Sequence, residues 1–266
     1  MMNPNWIGVL AAALSLIGFV IAYRYAEKLE TKQKICVGVL ACVLACVLAL
    51  PGASFAVYYA HILPESVWYY QFHSLRYTEW FVVMIGVAGG VIASFLPRVV
   101  LTLPLLGVAG FSIVPFVKPF LGPLDDGALV GRWEEGVCKQ STGSACGVAS
   151  VATILRSLGA NVSEGELAVD AHSYAGGTEA WYLARAVRKR GVRVHFQFAK
   201  GLDPEMKLPG VVGVRWGSIG HFIPILGKAG DQYVIGDPTV GKETLSSDAL
   251  HERYEFTGFY MVISKE

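Results

Sequence analysis

Long apolar stretches fill most of the first 121 residues and restrict what this part of the chain can fold into. Four stretches are long enough to cross a bilayer, and none holds a charge before Lys118. We predict membrane spans at Trp6–Tyr23, Ile35–Val57, Trp80–Leu96 and Val99–Leu121. The first stretch lacks a basic segment in front and is followed by three more, so we do not interpret it as a cleaved signal peptide.

Charged side chains divide the chain into two halves of different physical class. Only 11 of the 43 charged residues precede residue 122, and the other 32 follow it. We therefore predict an α-helical membrane domain over residues 1–121, a linker rich in Gly, Pro and Asp over 122–131, and a soluble domain over 132–266. The lipid bilayer is one expected partner. The net charge of +1 gives no reason to expect nucleic acid as another.

Positive residues in short loops predict the orientation in the membrane, because such loops stay in the cytoplasm. The loop between the first two spans is the most basic; it contains Arg24, Lys28, Lys32 and Lys34. The next loop, over residues 61–79, has Arg76 alone. We expect a multi-pass protein of a bacterial cell membrane with an extracytoplasmic soluble domain. If the proline-containing fourth stretch is re-entrant, the soluble domain is cytoplasmic instead.

The soluble half combines helical and strand patterns. Helices are predicted at Cys146–Leu158, Ser163–Ala171, from Thr178 to about residue 190, and at Ser246–Tyr254. Strands are predicted at 192–198, Val211–Trp216, His221–Leu226, Gln232–Ile235 and Gly258–Ser264. Helices that precede strands are typical of an α+β domain, and a helical lobe on an antiparallel sheet suits a papain-like fold.

Two local patterns in this half have structural interpretations. Ser163 and Glu166 have the spacing of a capping box, so we interpret the Asn161 sequon as part of a helix cap. A basic run follows in the next helix; it consists of Arg185, Arg188, Lys189 and Arg190. We expect these side chains to be solvated, although they could bind an acidic partner.

Four residues of the soluble half form a pattern typical of a cysteine-nucleophile hydrolase. They are, in chain order, Gln140, Cys146, His221 and Asp237. Cys146 begins a predicted helix, whose N-terminal N–H groups and dipole lower the pKa of a thiol. His221 opens one strand and Asp237 ends the next, so an antiparallel pair would bring the carboxylate beside the imidazole. The Gln140 amide and the Cys146 backbone N–H could form an oxyanion hole.

Several segments around these residues resemble a known family. They are Gln140–Gly159 with Ala145-Cys146-Gly147 at its centre, Gly220-His221-Phe222, Asp237-Pro238 with Gly241, and the ending from Leu245 to Tyr260. Together they resemble the papain-like peptidases that process bacteriocin leader peptides after a double glycine. The resemblance covers about Gly131–Ser264. This sequence differs from the family pattern at Ala145, where the family usually has an acidic residue.

The resemblance implies a role for each site residue. It makes Cys146 the nucleophile, His221 the general base and acid, Asp237 the residue that orients the imidazole, and Gln140 the oxyanion donor. We therefore expect a membrane-anchored cysteine peptidase that acts on a peptide or protein through a thioester and needs no cofactor. Two alternatives stay open: a non-catalytic domain that binds a peptide or signal in the same cleft, and a thiol-dependent acyltransferase or amidase.

Other motifs have weaker interpretations. Gly236–Lys242 nearly matches a phosphate-binding loop, but Glu243 stands where Ser or Thr should follow, so we predict no nucleotide binding. His and Glu residues between 61 and 79 and the five cysteines fit no metal-site spacing. Cys138 could pair with Cys146 in an oxidising compartment and inactivate the enzyme; we favour a plain structural thiol.

Overall fold

The computed structural model describes residues 3–30, 34–60 and 63–265, and its chain divides into two compact units. One unit consists of Pro4–Pro64 and Arg76–Leu121. The other consists of Met1–Asn3, Glu65–Leu75 and Gly122–Glu266. Lys32 of the basic loop lies outside the described residues, as does His61, the first residue of the loop over 61–79.

Helices account for most of the described chain before residue 122. They are α1 Trp6–Glu27, α2 Val39–Tyr59, α3 Val67–His73, α4 Val82–Ala93 and α5 Thr102–Leu121. Shorter turns precede three of them: a π-helical turn at Lys34–Gly38, and 3₁₀ turns at Thr78–Phe81 and Arg98–Val100. All of these elements except α3 belong to the first unit.

Three helical segments in the described residues are long and apolar enough to cross a membrane: Trp6–Glu27, Cys36–Tyr59 and Arg98–Leu121. A fourth is possible if α3 and Thr78–Ala93, which are bent by 100°, count as one span. Thr78–Ala93 alone is about 26 Å long, slightly less than the roughly 30 Å of hydrocarbon in a bilayer, so the third predicted span is the shortest of the four. The apolar helical domain that the sequence predicts is thus confirmed, with three to four candidate spans where four were predicted.

Small residues set the spacing of helices α1 and α4. A Cβ on Gly86 would lie 1.7 Å from the Ser15 carbonyl oxygen, and one on Gly90 would lie 2.3 Å from that of Phe19. The two backbones can therefore approach only because these positions are glycine. A buried hydrogen bond of 2.9 Å from the Ser112 hydroxyl to that of Ser15 adds a polar link between α5 and α1.

The second unit has the predicted α+β architecture. Its helices are α6 Cys146–Ser157, α7 Glu164–Asp170, α8 Ala180–Arg188 and α9 Ser247–Arg253. Its strands are β1 Arg132–Glu134, β2 Val137–Lys139, β3 Arg193–Phe198, β4 Gly210–Trp216, β5 Ile219–Ala229, β6 Gln232–Asp237, β7 Gly241–Leu245 and β8 Glu255–Ser264. A 3₁₀ turn occupies Asp126–Ala128.

The sheet of this unit is antiparallel throughout. Its order is β3-β8-β4-β5-β6-β7, and β1 pairs separately with β2. The β1–β2 hairpin and β7 are absent from the sequence-based prediction, because each is five residues or shorter and carries polar side chains. The capping box of α7 is confirmed: Ser163 Oγ accepts from the Glu166 N–H, and the Glu166 carboxylate accepts from the Ser163 N–H.

Helix α3 packs on the sheet of the second unit, although it lies between apolar segments in sequence. Tyr70 is 3% exposed, and its ring centroid lies 5.3 Å from that of Phe196 and 5.1 Å from that of Phe259. The sequence-based boundary at residue 121 does not anticipate that Glu65–Leu75 groups with this unit. A short helix gains most of its stability from such tertiary packing.

Two arginines of the basic run in α8 bind the end of α3. Arg185 donates from Nε and Nη2 to the His73 carbonyl oxygen at 3.0 and 2.6 Å. Arg188 donates to the Ser74 carbonyl oxygen at 3.2 Å and to Gln71 Oε1 at 2.7 Å. The expectation that these side chains are solvated is wrong for this pair, because the carbonyl oxygens at a helix C-terminus are natural partners for guanidinium groups.

Candidate active site

Cys146 lies at the start of α6, as the sequence predicts. The residue before it, Ala145, has φ −99° and ψ 7° and makes no side-chain cap. The first N–H groups of the helix therefore remain beside the thiol, where they favour negative charge. Cys146 is partly exposed, so the thiol can be reached from solvent.

The start of α6 packs closely on strand β5. A Cβ on Gly147 would lie 3.0 Å from Leu183 Cδ1 and 3.3 Å from Phe222 Cδ2, so a larger residue would push the helix away. Ser150 Oγ donates to the Phe222 carbonyl oxygen at 2.9 Å. Because Phe222 follows His221, these two contacts hold the nucleophile beside the imidazole.

His221 bridges the thiol and the carboxylate. It is 9% exposed, and its Nε2 lies 3.2 Å from Asp237 Oδ1. Its side chain also interacts with that of Cys146, which contributes to the raised pKa of the imidazole. Burial lowers the pKa of His221, but the bonds to Asp237 and Cys146 outweigh this effect and raise the pKa to about 9. The environment of His221 therefore favours the protonated imidazole.

Asp237 is fully buried at the last position of β6. Its Oδ1 accepts from the Thr239 N–H at 2.6 Å and the Val240 N–H at 3.3 Å, besides His221. Its Oδ2 accepts from Tyr254 Oη at 2.6 Å. Burial raises the pKa of Asp237, but these hydrogen bonds outweigh it and lower the pKa to about 2.

Gln140 follows β2 and lies against the turn after Asp237. Its N–H donates to the Pro238 carbonyl oxygen at 3.0 Å, and its Oε1 accepts from Thr239 Oγ1 at 3.4 Å. Its Nε2 donates to the Thr142 carbonyl oxygen at 3.0 Å. An amide nitrogen has two hydrogens, so one N–H of Gln140 is left over after this bond.

A buried carboxylate that sequence reasoning missed holds the segment that carries Gln140. Glu164 is fully buried and accepts from the Ser141 N–H at 2.9 Å and the Gly131 N–H at 3.1 Å. It also accepts from the Ser141 hydroxyl. In the sequence, Glu164 is simply an acidic residue in the first turn of a helix, where negative charge is commonly favourable. Nothing in the local pattern indicates that it also binds the segment around Ser141.

Tyr254 is the other contributor that sequence reasoning missed. It follows α9 and is 2% exposed, with its hydroxyl on Asp237. The sequence-based prediction includes it only as the last residue of a helix. A buried tyrosine needs a partner for its hydroxyl, but the sequence alone does not say which one.

Cys138 has the properties of a structural thiol. It is fully buried, and neither Cys138 nor Cys146 is in a disulfide. Burial and the neighbouring Glu164 raise the pKa of Cys138 to about 12, against a smaller opposing effect of Arg156. A protonated, buried thiol is a poor partner for disulfide formation, so the structure does not favour the redox pairing with Cys146.

The near-match to a phosphate-binding loop belongs to this site instead. Gly241, which would precede the helix of such a loop, begins strand β7, and Asp237 is bound to His221. Among residues 3–30, 34–60 and 63–265, no group of three or more His, Cys, Asp or Glu side chains could hold a metal ion.

Comparison with known proteins identifies the second unit. The model of the Peptidase C39 family matches residues 134–266. An uncharacterized protein of Methanothermobacter marburgensis is 31% identical over 136 residues, which cover 50% of this chain and 91% of the relative. A second, from Methanothermobacter thermautotrophicus, is 30% identical over 135 residues, which cover 50% and 90%.

Solved structures of peptidase domains are also similar. The peptidase domain of Streptococcus ComA, a bifunctional ABC transporter of a quorum-sensing pathway, has a TM-score of 0.42 and 23% identity over 48% of this chain and 96% of its own. A double glycine motif protease from a PCAT transporter, solved with the leader peptide, has a TM-score of 0.43 and 22% identity over 52% and 96%. By the family match and the curated relatives, the chain belongs to the C39 family of cysteine peptidases.

Proposed function

We propose that Cys146, His221, Asp237 and Gln140 are the catalytic residues of this peptidase. The observation that carries the proposal is the position of His221, which is buried, lies within hydrogen-bond distance of Asp237 and interacts with the Cys146 side chain. A histidine with a purely structural role would have no reason to lie beside a thiol at the start of a helix. A nucleophile, a base and an orienting carboxylate in one chain of hydrogen bonds are what acyl transfer requires.

In the proposed mechanism each nitrogen of His221 has its own role. Nε2 of His221 faces Asp237, which leaves Nδ1 for the thiol. The Cys146 thiolate attacks the carbonyl carbon of the scissile bond and forms a C–S bond, and the carbonyl oxygen becomes an oxyanion. His221 then gives its Nδ1 proton to the leaving amine as the C–N bond breaks. Water, deprotonated by His221, hydrolyses the thioester and releases Cys146.

The oxyanion needs donors that are in place before the reaction. The Cys146 backbone N–H is one, and the second N–H of the Gln140 amide is the other. Thr239 favours this orientation of the amide because its hydroxyl donates to Gln140 Oε1. The first N–H of the amide stays on the Thr142 carbonyl oxygen.

Selective labelling tests the proposal. The detergent-solubilised protein is treated with a thiol-reactive peptide electrophile, and the adducts are located by mass spectrometry. We expect Cys146 to react much faster than Cys138 and than Cys36, Cys42 and Cys46 of the first unit. In His221→Ala, Cys146 should react no faster than the other cysteines. Reaction of Cys146 at the rate of an ordinary exposed thiol would instead favour the non-catalytic peptide-binding alternative.

The proposed substrate is a peptide that is cut after small residues, such as a leader that ends in two glycines. Exposed apolar side chains beside the catalytic residues support a peptide substrate. Trp216 and Ile219 are a cross-strand pair at the tip of the β4–β5 hairpin, 49% and 69% exposed. The Trp216 ring lies 6.4 Å from that of His221. Small residues at the cleavage site would let a peptide backbone approach Cys146 closely.

We also propose that the peptidase domain is extracytoplasmic. Residues 65–75 pack on the domain formed by residues 122–266, so both lie on the same side of the membrane. Cys36–Tyr59 separates residues 65–75 from the basic loop that begins at Arg24. If that loop is cytoplasmic, one crossing puts residues 65–75, and with them the peptidase domain, outside.

This argument for the orientation uses the crossing at Cys36–Tyr59 and does not depend on whether Thr78–Ala93 spans the membrane. Residues 76–121 must cross the membrane an even number of times, because both of their ends meet the same domain. If Arg98–Leu121 spans, Thr78–Ala93 must span as well. Reporter fusions after Lys265 and within residues 65–75 test the orientation. We expect both to report the outer side, and a cytoplasmic signal from either would contradict it.

A further inference from the structure

Within the part of the chain that the structure describes, Tyr254 makes the one hydrogen bond to Asp237 Oδ2. The distance from Tyr254 Oη is 2.6 Å, and both side chains are buried, at 2% and 0% exposure. The other oxygen, Oδ1, receives the Thr239 N–H, the Val240 N–H and His221. The two oxygens of the carboxylate are thus bound by different parts of the chain.

A carboxylate that orients an imidazole has to be fixed in rotation as well as in position. Without a donor on Oδ2, the group would be held through Oδ1 alone and could tilt about that oxygen, which would change the angle that it presents to His221. A buried carboxylate oxygen without a donor would also favour protonation of the group. The Tyr254 hydroxyl prevents both, because it occupies Oδ2 and stabilises the charge.

The surrounding fold delivers this hydroxyl to Asp237. Helix α9 ends at Arg253, and Tyr254 has extended backbone, with φ −128° and ψ 136°. The Tyr254 N–H still donates to the Leu250 carbonyl oxygen at 2.9 Å. The ring thereby enters the core that Ile223, Ile235 and Leu250 share. Tyr254 lies 17 residues after Asp237 and is brought to it only by this arrangement.

We propose that Tyr254 is a positioning residue of the active site, which acts through Asp237 to hold the His221 imidazolium toward Cys146. The inference rests on the proposed function, since it presupposes that the three residues act as a catalytic triad. Tyr254 touches neither the substrate nor the reacting atoms. Its contribution is the orientation and the charge of the carboxylate.

The chain supplies a matched control in Tyr260. It is fully buried in the same core cluster, its hydroxyl donates to the Gly201 carbonyl oxygen, and that hydroxyl accepts from the Asp203 N–H at 3.0 Å. Tyr254→Phe and Tyr260→Phe each remove one buried hydroxyl and keep the ring. A merely structural effect of losing a tyrosine hydroxyl should therefore be similar in the two variants.

The test measures Cys146 without a substrate. In the full-length, detergent-solubilised protein, the alkylation rate of Cys146 by iodoacetamide and the ultraviolet absorbance of its thiolate are recorded near neutral pH, together with the unfolding transition. We expect Tyr254→Phe to slow the alkylation roughly tenfold or more and to reduce the thiolate signal. Tyr260→Phe should change stability alone. Fluorotyrosine at position 254, which keeps the hydroxyl, should restore the native rate.

The outcomes separate this inference from the proposed function. If native Cys146 reacts no faster than Cys146 in His221→Ala, the triad and the role of Tyr254 both fail. If native Cys146 is fast and His221→Ala is slow, while Tyr254→Phe stays within about twofold of native, only the role of Tyr254 fails. It also fails if Tyr260→Phe slows Cys146 as much as Tyr254→Phe does, or if fluorotyrosine does not restore the rate.

Discussion

The Ser150 hydroxyl on α6 donates a hydrogen bond of 2.9 Å to the carbonyl oxygen of Phe222 on β5. It is one turn after Cys146, and its partner follows His221. The bond therefore connects the helix that carries the thiol to the strand that carries the imidazole. Gly147 shortens the same approach, because it leaves no Cβ between the two elements.

Ser150→Ala should weaken this connection. We expect a loss of about 1 kcal/mol in the free energy of unfolding and a several-fold slower alkylation of Cys146, since its hydrogen bond to His221 would be less well held. Ser157→Ala is the control, because Ser157 Oγ donates only within the last turn of the same helix, to the Ile154 carbonyl oxygen. Equal effects on Cys146 in both variants would show that the link to Phe222 does not matter.

Peptide cleavage should decline at alkaline pH. In the proposed mechanism, His221 has to be protonated to assist the leaving amine. Its pKa is raised to about 9, so we expect activity to be lost as pH rises through that value. The raised pKa also stabilises the fold, fully below the unfolded value of about 6.5 and progressively less as pH rises through 9. A fluorogenic peptide with two glycines before the leaving group would report the activity.

Asp237→Asn provides the control for this pH profile. The bond to the carboxylate is a cause of the raised pKa of His221, so its loss should move the alkaline decline to lower pH. The pH dependence of the unfolding free energy should shift in the same direction. An unchanged decline in Asp237→Asn would mean that another group sets it.

Trp216→Ala should affect substrate binding more than the chemistry. The ring is half exposed beside His221, so its loss removes apolar surface that an extended peptide would cover. We expect KM for the fluorogenic peptide to rise about tenfold, with iodoacetamide alkylation of Cys146 unchanged. Trp133→Ala, on the β1–β2 hairpin against Arg156, is the control and should leave KM unaltered. A fall in kcat at constant KM would argue against a binding role.

Tyr70→Ala should destabilise the peptidase domain. The ring is buried among Phe196, Phe198 and Phe259, so its removal leaves a cavity, and we expect a loss of about 3 kcal/mol or more. Denaturant unfolding followed by Trp181 fluorescence measures the change, since Trp181 also contacts Tyr70. Tyr77, which is 58% exposed, provides the comparison, and Tyr77→Ala should have little effect. A similar loss in both would mean that α3 contributes no specific packing.

Sequence patterns anticipate the elements that carry the proposed catalytic side chains, because these elements depend on local periodicity. The helix from Cys146, the capping box at Ser163 and the strand that holds His221 all follow such patterns. The pairing of β5 with β6 was also predictable, since a short turn joins them.

The contributors that escaped prediction act across long sequence separations. Tyr254 lies 17 residues from Asp237, and Glu164 lies 33 residues from Gly131. Each sits in a pattern that has an ordinary local explanation. The docking of α3 could not be predicted for the same reason. Arg185 and His73 are 112 residues apart, and sequence periodicity reports only on neighbouring residues.

The peptidase domain is therefore completed by a piece of chain that is synthesised long before the rest. Residues 65–75 leave the ribosome before any strand of the main sheet, and β8, which carries Phe259, comes last. Until then the aromatic side chains of α3 have no sheet to cover. An expression fragment that begins at residue 122 would lack α3 and would expose the sheet surface that α3 covers, which includes the rings of Phe196 and Phe259. A soluble version of this enzyme needs residues 65–75 grafted back onto that face.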